Sequence, residues 1–432
     1  MANDRYSAID LFSGAGGFSE GLKWAGYDIK WAADSDEQAA STYRHNHSDT
    51  VFAVEDLSQS EPPELGLDDS LDLVAGGPPC PTFSKVGRVK LNSLDERDVE
   101  TDSRHQLWQH FVRFVDHFQP RAFVMENVKG MDTARNESGE RVLPIVLGEM
   151  RDIGYKVDAT VVNAVNFGVP QDRERLFIIG NRAGASNPDM KQWRTHREPR
   201  SPAEKKAVLV NSSLPATSQR TLGEYTKSNG TEQSESRTGP LSRRPWVTVG
   251  EAILDLPPLS PAGSSADDPH PPAQEEGYHI RAVTEYQQWA RNIPEDQCWK
   301  DQRLYNHDAR FHNLTDLSIY KLLGEATGWT IGDLDDDLQP YRSDVFVDSY
   351  TKQASTEPSS TIPAHLHKDG HMHIHPSEAR SFTVREAARL QSFRDTYRFP
   401  VSRTAAYKQV GNAVPPLLAE SIGLAIRDSI LS

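Results

Sequence analysis

Residues that could carry out catalysis gather in three short motifs of this 432-residue chain. Cys80 stands between Pro79 and Pro81 in GGPPCPTFSK, directly after the apolar run LDLVA, and the prolines fix the loop that presents the thiol. Such a thiol can act as a nucleophile if its pKa is lowered. The alternative is a buried, unreactive cysteine, and the motif alone leaves both interpretations open.

Two further motifs supply a carboxyl group and two guanidinium groups. Glu126 ends an apolar run in MENVKG, where a buried carboxylic acid that keeps its proton can act as a general acid; otherwise it caps a helix or forms a salt bridge. Arg173 and Arg175 alternate in QDRER, which directs both to one side of an extended segment. They can bind phosphate or carbonyl oxygens, or they form ordinary surface salt bridges.

A glycine-rich loop followed by an acid indicates a cofactor site. Gly14, Gly16 and Gly17 in DLFSGAGGFSEGL let the backbone approach a ligand closely; the alternative is a structural turn. The dinucleotide pattern GxGxxG is not met, because Ser19 occupies its last position. Asp34 ends the next strand region, where such an acid typically binds ribose hydroxyls, so a nucleoside cofactor is favoured over a dinucleotide.

The elements that must position these motifs alternate between strands and helices. Short apolar runs predict six strands, at SAIDLF, IKWAADS, LDLVAGG, RAFVMENV, YKVDATVV and RLFIIG. The clearest helix is HQLWQHFVRFVDHF, whose apolar face contains Leu107, Phe111, Phe114, Val115 and Phe118. We therefore predict an α/β fold, a doubly wound parallel sheet covered on both faces. The motifs follow strands and belong at the carboxyl edge, where open α/β domains bind ligands.

The composition and patterning of the sequence change after about residue 185. Residues 199–242 are rich in Ser, Thr, Arg and Gly, and LPPLSPAGSSADDPHPPA follows at 256–273, which indicates loops around a small, irregular domain. Regular patterning returns in SFTVREAARLQSFRDTYRF and in YKQVGNAVPPLLAESIGLAI, with a helix that begins at the pair Pro415 and Pro416.

Composition argues against several classes of protein. The two cysteines, Cys80 and Cys298, are far apart, which disfavours a disulfide framework and a cysteine-built zinc site and fits a reducing cytoplasm. The N-terminus lacks a signal-peptide pattern and no apolar run could span a bilayer, so a cytoplasmic protein without a membrane partner is expected. The net charge of -15 does not exclude nucleic acid, since the 32 Arg can be concentrated locally.

Taken in order, the motifs resemble those of the DNA cytosine-5 methyltransferase family. The matching blocks cover most of residues 6–182 and 380–428: DLFSGAGGFSEGL, Asp34, EDL at 55–57, GGPPCPTFS, MENV, QDRER, TVREAARLQSF and QVGNAVPP. The resemblance implies a Rossmann-like methyltransferase domain at 1–185 that binds the cofactor. It also implies a smaller target-recognition domain inserted at 186–375, and C-terminal motifs at 376–432 that return to the catalytic domain.

The resemblance further implies S-adenosylmethionine as the cofactor. Ten residues would line its cleft: Phe12, Ala15 and Gly17 at the methionine and adenine parts, Asp34 at the ribose, Asp56 and Leu57 near the adenine, and Pro79, Leu107, Asn412 and Val414 around them. No metal is expected.

By the same resemblance, four residues would serve the reaction. Cys80 would add its thiolate to carbon 6 of cytosine, since carbon 5 is a poor nucleophile until the ring becomes an enamine. Glu126 would assist proton transfer to N3, Arg175 would hold O2, and Arg173 would support the active-site loop. The target base must leave the duplex, because the thiolate has to approach the face of the ring.

Double-stranded DNA is the expected partner, since a large inserted domain is suited to reading a duplex in its major groove. We expect a monomer in a restriction-modification or other phage-defence system, with a cognate restriction or defence component. An RNA cytosine is a rival substrate, and a catalytically silent DNA-binding protein or a nicotinamide oxidoreductase are alternatives from other classes. Pro81 departs from many family members, which have Gln at that position.

A histidine-rich segment, HLHKDGHMHIH at 365–375, remains outside these motifs. Its alternating histidines around a Lys-Asp-Gly turn predict a β-hairpin. The alternative is a metal site on one face of a strand.

Overall fold

The computed structural model describes residues 6–66, 71–79, 107–136, 138–199, 243–260, 277–293, 302–325, 328–335, 338, 350–368 and 370–432. Seven strands form its main sheet: β1 Tyr6–Leu11, β2 Tyr27–Asp34, β3 Val51–Val54, β4 Leu73–Gly76, β5 Ala122–Val128, β6 Lys156–Asn163 and β7 Glu174–Asn181. Their spatial order is β3-β2-β1-β4-β5-β7-β6.

The sheet confirms the six predicted strands and corrects two expectations. Strands β1 to β5 run parallel to one another, but β7 is antiparallel to both β5 and β6, so the sheet is only mostly parallel. Residues 164–173 alone connect β6 to β7, which is too short for the crossover that parallel pairing requires. The sequence pattern also misses β3, a four-residue edge strand whose Val51 is exposed.

Helices and short helical turns account for most of the remaining regular structure. Within the described residues, the α-helices are α1 Gly17–Trp24, α2 Glu37–Asn46, α3 Leu107–Phe118, α4 Val142–Asp152, α5 Val249–Ile253, α6 Glu285–Arg291, α7 Leu314–Leu322, α8 Val384–Leu390, α9 Arg403–Asn412 and α10 Pro416–Ile426. The same ranges contain 3₁₀ turns at Lys129–Asp132, Ala164–Phe167, Ile331–Asp333 and Ala364–His367, a π turn at Arg427–Leu431, and a two-stranded ribbon that pairs β8 His196–Arg197 with β9 Arg244–Pro245. Helix α3 confirms the predicted helix, and α10 begins at Pro416 as expected.

Side chains of each strand alternate between two hydrophobic layers, one on each face of the sheet. Ala8 faces a layer that includes α1 and α10, whereas its neighbour Ile9 faces a layer that includes α3 and α4. The α1 and α10 helices pack closely, because a Cβ added at Gly21 would lie 2.2 Å from the Pro416 carbonyl oxygen. Helices on both faces confirm the doubly wound architecture.

A second core joins the segments around α5 and α6 to helices α8 and α9, and Ala15 of the glycine-rich loop belongs to it. Buried charges lie within it: Arg389 of α8 donates hydrogen bonds to Asp395 at 2.9 and 2.6 Å and also bonds Asp255. A smaller core lies around α7 and contains Tyr320 and Tyr350.

The predicted histidine hairpin is wrong. Residues Ala364–His367 form a 3₁₀ turn that follows Pro363, and His367 Nδ1 lies 2.8 Å from the Ala364 carbonyl oxygen, so the first histidines are not in a strand. Farther along, Ile374 makes only single bridges, to Lys352 and to Ser381. Within the described ranges, His, Cys, Asp and Glu side chains form no group of three or more arranged to hold a metal ion.

No helix in the described part of the chain is both long enough and apolar enough to cross a membrane.

Candidate active site

The glycine-rich loop leaves β1 at the carboxyl edge of the sheet and enters α1. Phe12, Gly14 and Gly16 have left-handed backbone angles, with φ of 56°, 54° and 91°. A Cβ at Gly16 would lie 2.8 Å from His47 Nε2, so only glycine fits there. A Cβ at Gly14 would meet no described atom within 4 Å, which shows that the loop has an open outer side at this point.

Asp34 ends the neighbouring strand β2 and contacts this loop directly. Its Oδ2 accepts a hydrogen bond from Gly14 N at 2.9 Å, and its Oδ1 accepts one from Asp36 N at 2.9 Å. Burial raises the pKa of Asp34. A carboxylate beside an open glycine loop at a strand end fits the recognition of ribose hydroxyls by a nucleoside cofactor.

The C-terminal part of the chain reaches the glycine-rich loop at two points, Gly17 and Ala15. A Cβ at Gly17 would lie 2.4 Å from the Val414 carbonyl oxygen, so the two backbones are in contact. The Ala15 carbonyl oxygen accepts a hydrogen bond from the Tyr397 hydroxyl. The structure thus brings residues from the two ends of the chain together at the expected cofactor cleft.

The other expected cofactor residues occupy different parts of this edge. Phe12 packs partly buried on the α3 side of the sheet, Leu57 is buried on the same side, and Asp56 is exposed after β3. A hydrogen bond from Glu55 N to the Asp34 carbonyl oxygen, 3.0 Å long, places the segment with Asp56 beside β2. The three other expected cofactor residues lie at the ends of segments and are exposed or half-buried. Pro79 is the last described residue before Cys80, Leu107 begins α3 and Asn412 ends α9.

Glu126 and Arg175 form the clearest candidate catalytic pair. They lie on the paired strands β5 and β7, and Arg175 Nε is 3.0 Å from Glu126 Oε1. Both side chains are largely buried, with 15% and 14% of their surfaces exposed for Arg175 and Glu126. Burial raises the pKa of Glu126, while the positive charges of Arg175 and Arg173 oppose the increase. The pair therefore combines a buried carboxyl whose pKa is raised with the guanidinium group of Arg175.

The loop that leads to Cys80 lies against this pair. A Cβ at Gly77 would lie 3.3 Å from Glu126 Oε2, and Asn127 Nδ2 donates a hydrogen bond to the Pro78 carbonyl oxygen at 3.1 Å. Asn127 holds the two segments together, a role that the sequence analysis missed although the residue is part of the MENV motif. Cys80 and Pro81 lie outside the described residues, as does Cys298.

Arg173 is buried, and its described hydrogen bonds go to backbone and side-chain oxygens of the protein. Its guanidinium donates to the carbonyl oxygens of Ile362 at 3.1 Å, Gly411 at 2.9 Å and Ala413 at 3.2 Å. It thus connects the start of β7 to the C-terminal segment that reaches Gly17. Burial lowers its pKa.

Gln171 forms a second connection of this kind, which the sequence analysis did not identify. Its side chain accepts a hydrogen bond from Ile362 N at 3.0 Å and donates one to the Leu390 carbonyl oxygen at 3.1 Å. Gln171 begins the QDRER motif, so its place in the motif could have marked it as a candidate site residue. Only the fold shows which groups its side-chain amide contacts.

The strand order, the open glycine loop with its carboxylate and the Glu126–Arg175 pair at one sheet edge define a doubly wound, Rossmann-like α/β protein with a candidate active site at that edge. A crystal structure assigned as a DNA modification methyltransferase, encoded within an E. coli prophage, shares the fold. It has a TM-score of 0.67 and 23% sequence identity, over 99% of this chain and 100% of that chain.

The chain belongs to the C-5 cytosine-specific DNA methylase family, whose model matches residues 6–428. It is 31% identical over 432 residues to the type II methyltransferase M.DdeI of Desulfomicrobium norvegicum, over 96% of this chain and 86% of that protein. It is 30% identical over 484 residues to the type II methyltransferase M.AgeI of Thalassovita gelatinovora, over 98% and 99%. The protein is therefore an enzyme, a DNA (cytosine-5)-methyltransferase.

Proposed function

We propose that this enzyme transfers a methyl group from S-adenosylmethionine to carbon 5 of a cytosine extruded from a specific site in duplex DNA. The main support is the largely buried pair of Glu126 and Arg175 beside the loop that leads to Cys80. A carboxyl with a raised pKa and a guanidinium group, beside the segment that leads in the sequence to a cysteine between two prolines, suit the binding and activation of a cytosine ring.

In the proposed reaction, the Cys80 thiolate forms a bond from Sγ to carbon 6 of the base. Glu126 assists the transfer of a proton to N3, so the ring becomes an enamine with electron density at carbon 5. The bound cofactor supplies a methyl carbon that its sulfonium makes electrophilic. Carbon 5 would take this methyl group as the methyl–sulfur bond of the sulfonium breaks and its electron pair stays on sulfur. The proton of carbon 5 then leaves to a base, N3 returns its proton to Glu126, the 5,6 double bond re-forms, and Cys80 departs with the electron pair of the carbon–sulfur bond.

The positions of Glu126 and Arg175 suit their proposed roles toward the base. Glu126 Oε1 contacts Arg175 Nε, while Oε2 faces Gly77, where the absence of a side chain leaves space. We assign Oε2 to N3 and the exocyclic amine of cytosine, and the Arg175 guanidinium to O2. Arg173 then supports the site through its carbonyl contacts instead of touching the base.

The cofactor would occupy the cleft between the glycine-rich loop and Asp34. The open side of Gly14 and the carboxylate at the end of β2 fit a nucleoside, and Gly17 with Val414 would close one wall. Asp56 and Leu57 are proposed near the adenine. The remaining proposed contacts come from the sides of the cleft: Phe12, Ala15, Pro79, Leu107 and Asn412.

The target base would have to rotate out of the duplex, because the cysteine can reach the face of the ring only outside the base stack. We assign site recognition to the region 186–375. The relatives above are named type II methyltransferases, which favours a role in restriction-modification, with a cognate nuclease as the partner. The wider assignment to phage defence is part of the same proposal.

One experiment tests substrate, activity and specificity together. The protein is expressed in a host without DNA methylation, and the genome is sequenced for 5-methylcytosine. We expect modified cytosines within one short consensus, and none with Cys80→Ala. Purified protein is then incubated with labelled cofactor and either DNA or tRNA; label in tRNA alone would replace the DNA proposal with the RNA alternative.

A further inference from the structure

Helix α1 begins at a glycine and so lacks a capping side chain of its own. Gly16 is its N-cap residue, and no side chain can be added there, since a Cβ would lie 2.8 Å from His47 Nε2 and 2.9 Å from the Tyr397 hydroxyl. The first-turn amides of a helix have no partner within the helix and usually receive one from such a side chain. The glycine that shapes the loop therefore removes the ordinary cap.

Asp10 of β1 supplies the missing acceptor from a neighbouring element. Its Oδ2 accepts hydrogen bonds from Ser19 N at 3.1 Å and from Ser19 Oγ at 2.6 Å, and only 1% of Asp10 is exposed. Ser19 is the third residue of α1, and its amide is one that an N-cap side chain normally engages. Ser19 Oγ also lies 2.7 Å from the Tyr43 hydroxyl, which fixes it from the other side.

We propose that Asp10 is a positioning residue, which caps α1 from strand β1 and thereby holds loop 12–17 in the conformation that receives the cofactor. This inference rests on the proposed function in assigning the cofactor to that loop. Asp10 and Asp34 act on the two sides of the loop: Asp10 holds the helix end from within the protein, and Asp34 holds Gly14 N. Asp10 itself touches no substrate.

The surroundings of Asp10 support a role that needs an acceptor. Its Oδ1 is buried and has no hydrogen-bond partner among the described residues. The titratable groups facing it are Asp34 from β2, Tyr43 from α2 and Tyr397 from the segment after α8. Burial, and to a lesser extent the charge of Asp34, raise the pKa of Asp10 to about 7, and burial keeps both tyrosines neutral by raising their pKa well above 10.0.

A protonated Asp10 and an ionised Asp10 both keep an acceptor for Ser19, and so does asparagine. Asp10→Asn should therefore preserve the loop, whereas Asp10→Ala removes the cap. The folded-state pKa lies above the ordinary aspartate value of 3.8, so ionisation costs stability as the pH rises from about 4 through 7. The melting temperature of Asp10→Asn should therefore exceed that of wild type at pH 8, and should exceed it by less at pH 5.

The test measures amide hydrogen exchange in residues 13–20 and the affinity for S-adenosylhomocysteine, which binds without reacting. For Asp10→Ala we expect exchange to rise and affinity to fall, each by about tenfold, as the loss of a cap implies. Asp10→Asn should restore both to within about threefold of wild type. If Asp10→Ala does not fold, Asp10→Leu replaces it in the test, because leucine is similar in size to aspartate and has no hydrogen-bond acceptor.

Asn313→Ala is the matched control. It removes the side-chain cap of α7, where Asn313 Oδ1 accepts from Asp316 N at 2.8 Å, and should leave the affinity for S-adenosylhomocysteine unchanged. The inference is overturned if Asp10→Ala exchanges and binds like wild type, or if the two cap variants lose affinity equally. If wild type itself does not bind S-adenosylhomocysteine, the proposed cofactor site fails, and amide exchange alone decides the role of Asp10.

Discussion

Glu126 differs from a surface acid in both its partner and its solvent access. It is largely buried against Arg175, and burial raises its pKa despite the nearby positive charges. The sequence predicts its place at the end of a strand, because MENV follows an apolar run. It cannot predict the partner, since Arg175 reaches Glu126 only through the pairing of Val128 with Arg175 in antiparallel strands.

Replacing Glu126 tests its proposed role in proton transfer. Glu126→Gln keeps the shape of the side chain but cannot exchange a proton, so we expect kcat to fall by about 10²–10⁴-fold in a DNA methylation assay. Cofactor affinity should change little, because Glu126 lies on β5, which β4 separates from the strand that leads into the glycine loop. Glu174→Gln is the control: Glu174 forms an exposed ion pair with Lys129 at 2.7 Å, and its loss should leave kcat unchanged. Equal effects of the two substitutions would contradict the role of Glu126.

The raised pKa of Glu126 also predicts a pH dependence. Burial favours the protonated form, so the carboxyl keeps its proton to a higher pH than an exposed glutamate does. If this proton assists the reaction, kcat/KM should decline as the pH rises through the folded-state pKa. Glu126→Asp should retain such a decline, whereas Glu126→Gln should lack it. A profile that is the same in wild type and Glu126→Gln would assign the decline to another group.

Strands and helices position Arg173 and Arg175 through long-range contacts that no local sequence pattern predicts. The alternation in QDRER predicts a shared side for Arg173 and Arg175, but Arg173 bonds carbonyls 189 to 240 residues away in the chain. The reversed direction of β7 follows from a short connection, which the sequence does show. The edge strand β3 was missed because VFAV is short and its Val51 is exposed.

The contact between α1 and the C-terminal segment predicts a role for Gly17 as a spacer. In Gly17→Ala the new Cβ would lie 2.4 Å from the Val414 carbonyl oxygen, so the backbones must separate. We expect stability to fall by about 1–3 kcal/mol and the affinity for S-adenosylhomocysteine to weaken, measured by urea unfolding and calorimetry. Gly148→Ala, in α4 with open space around it, should instead stabilise by about 0.5–1 kcal/mol. A Gly17→Ala protein with wild-type affinity would exclude this contact from the cofactor cleft.

Buried charges connect segments that are distant in the chain into the second core. Arg389 binds Asp395 and Asp255, and Arg291 binds Asp255 at 2.7 Å, with none of the four more than 4% exposed. The sequence identifies the TVREAARLQSF block but not its acidic partners. Asp255 is 134 residues from Arg389, so only the tertiary fold reveals the pair.

Arg389→Met should destabilise this second core. The substitution removes the guanidinium group that pairs with both Asp255 and Asp395, which are buried. We therefore expect the free energy of unfolding to fall by about 3–5 kcal/mol at pH 7. Arg389 holds the pKa of Asp395 below its usual value, so this contribution exists above about pH 4 and disappears as the pH falls through the folded-state pKa. The difference between variant and wild type should therefore shrink in acid.

An exposed ion pair provides the comparison. Arg244 lies 2.6 Å from Glu285, with 68% and 77% of the two side chains exposed, so Arg244→Met should change stability by less than about 1 kcal/mol at either pH. A loss for Arg389→Met no larger than this would show that the buried network does not hold the second core together.

Covalent capture of DNA is the most direct test of Cys80 as the nucleophile. A duplex carrying 5-fluorocytosine at the site found by genome sequencing blocks the final proton loss at carbon 5, so the enzyme should remain bonded to the base. We expect a denaturation-resistant adduct that requires S-adenosylmethionine and is absent with Cys80→Ala. An adduct that persists in Cys80→Ala, or wild-type enzyme that methylates the unmodified duplex without forming an adduct with the fluorinated one, would exclude Cys80 as the nucleophile.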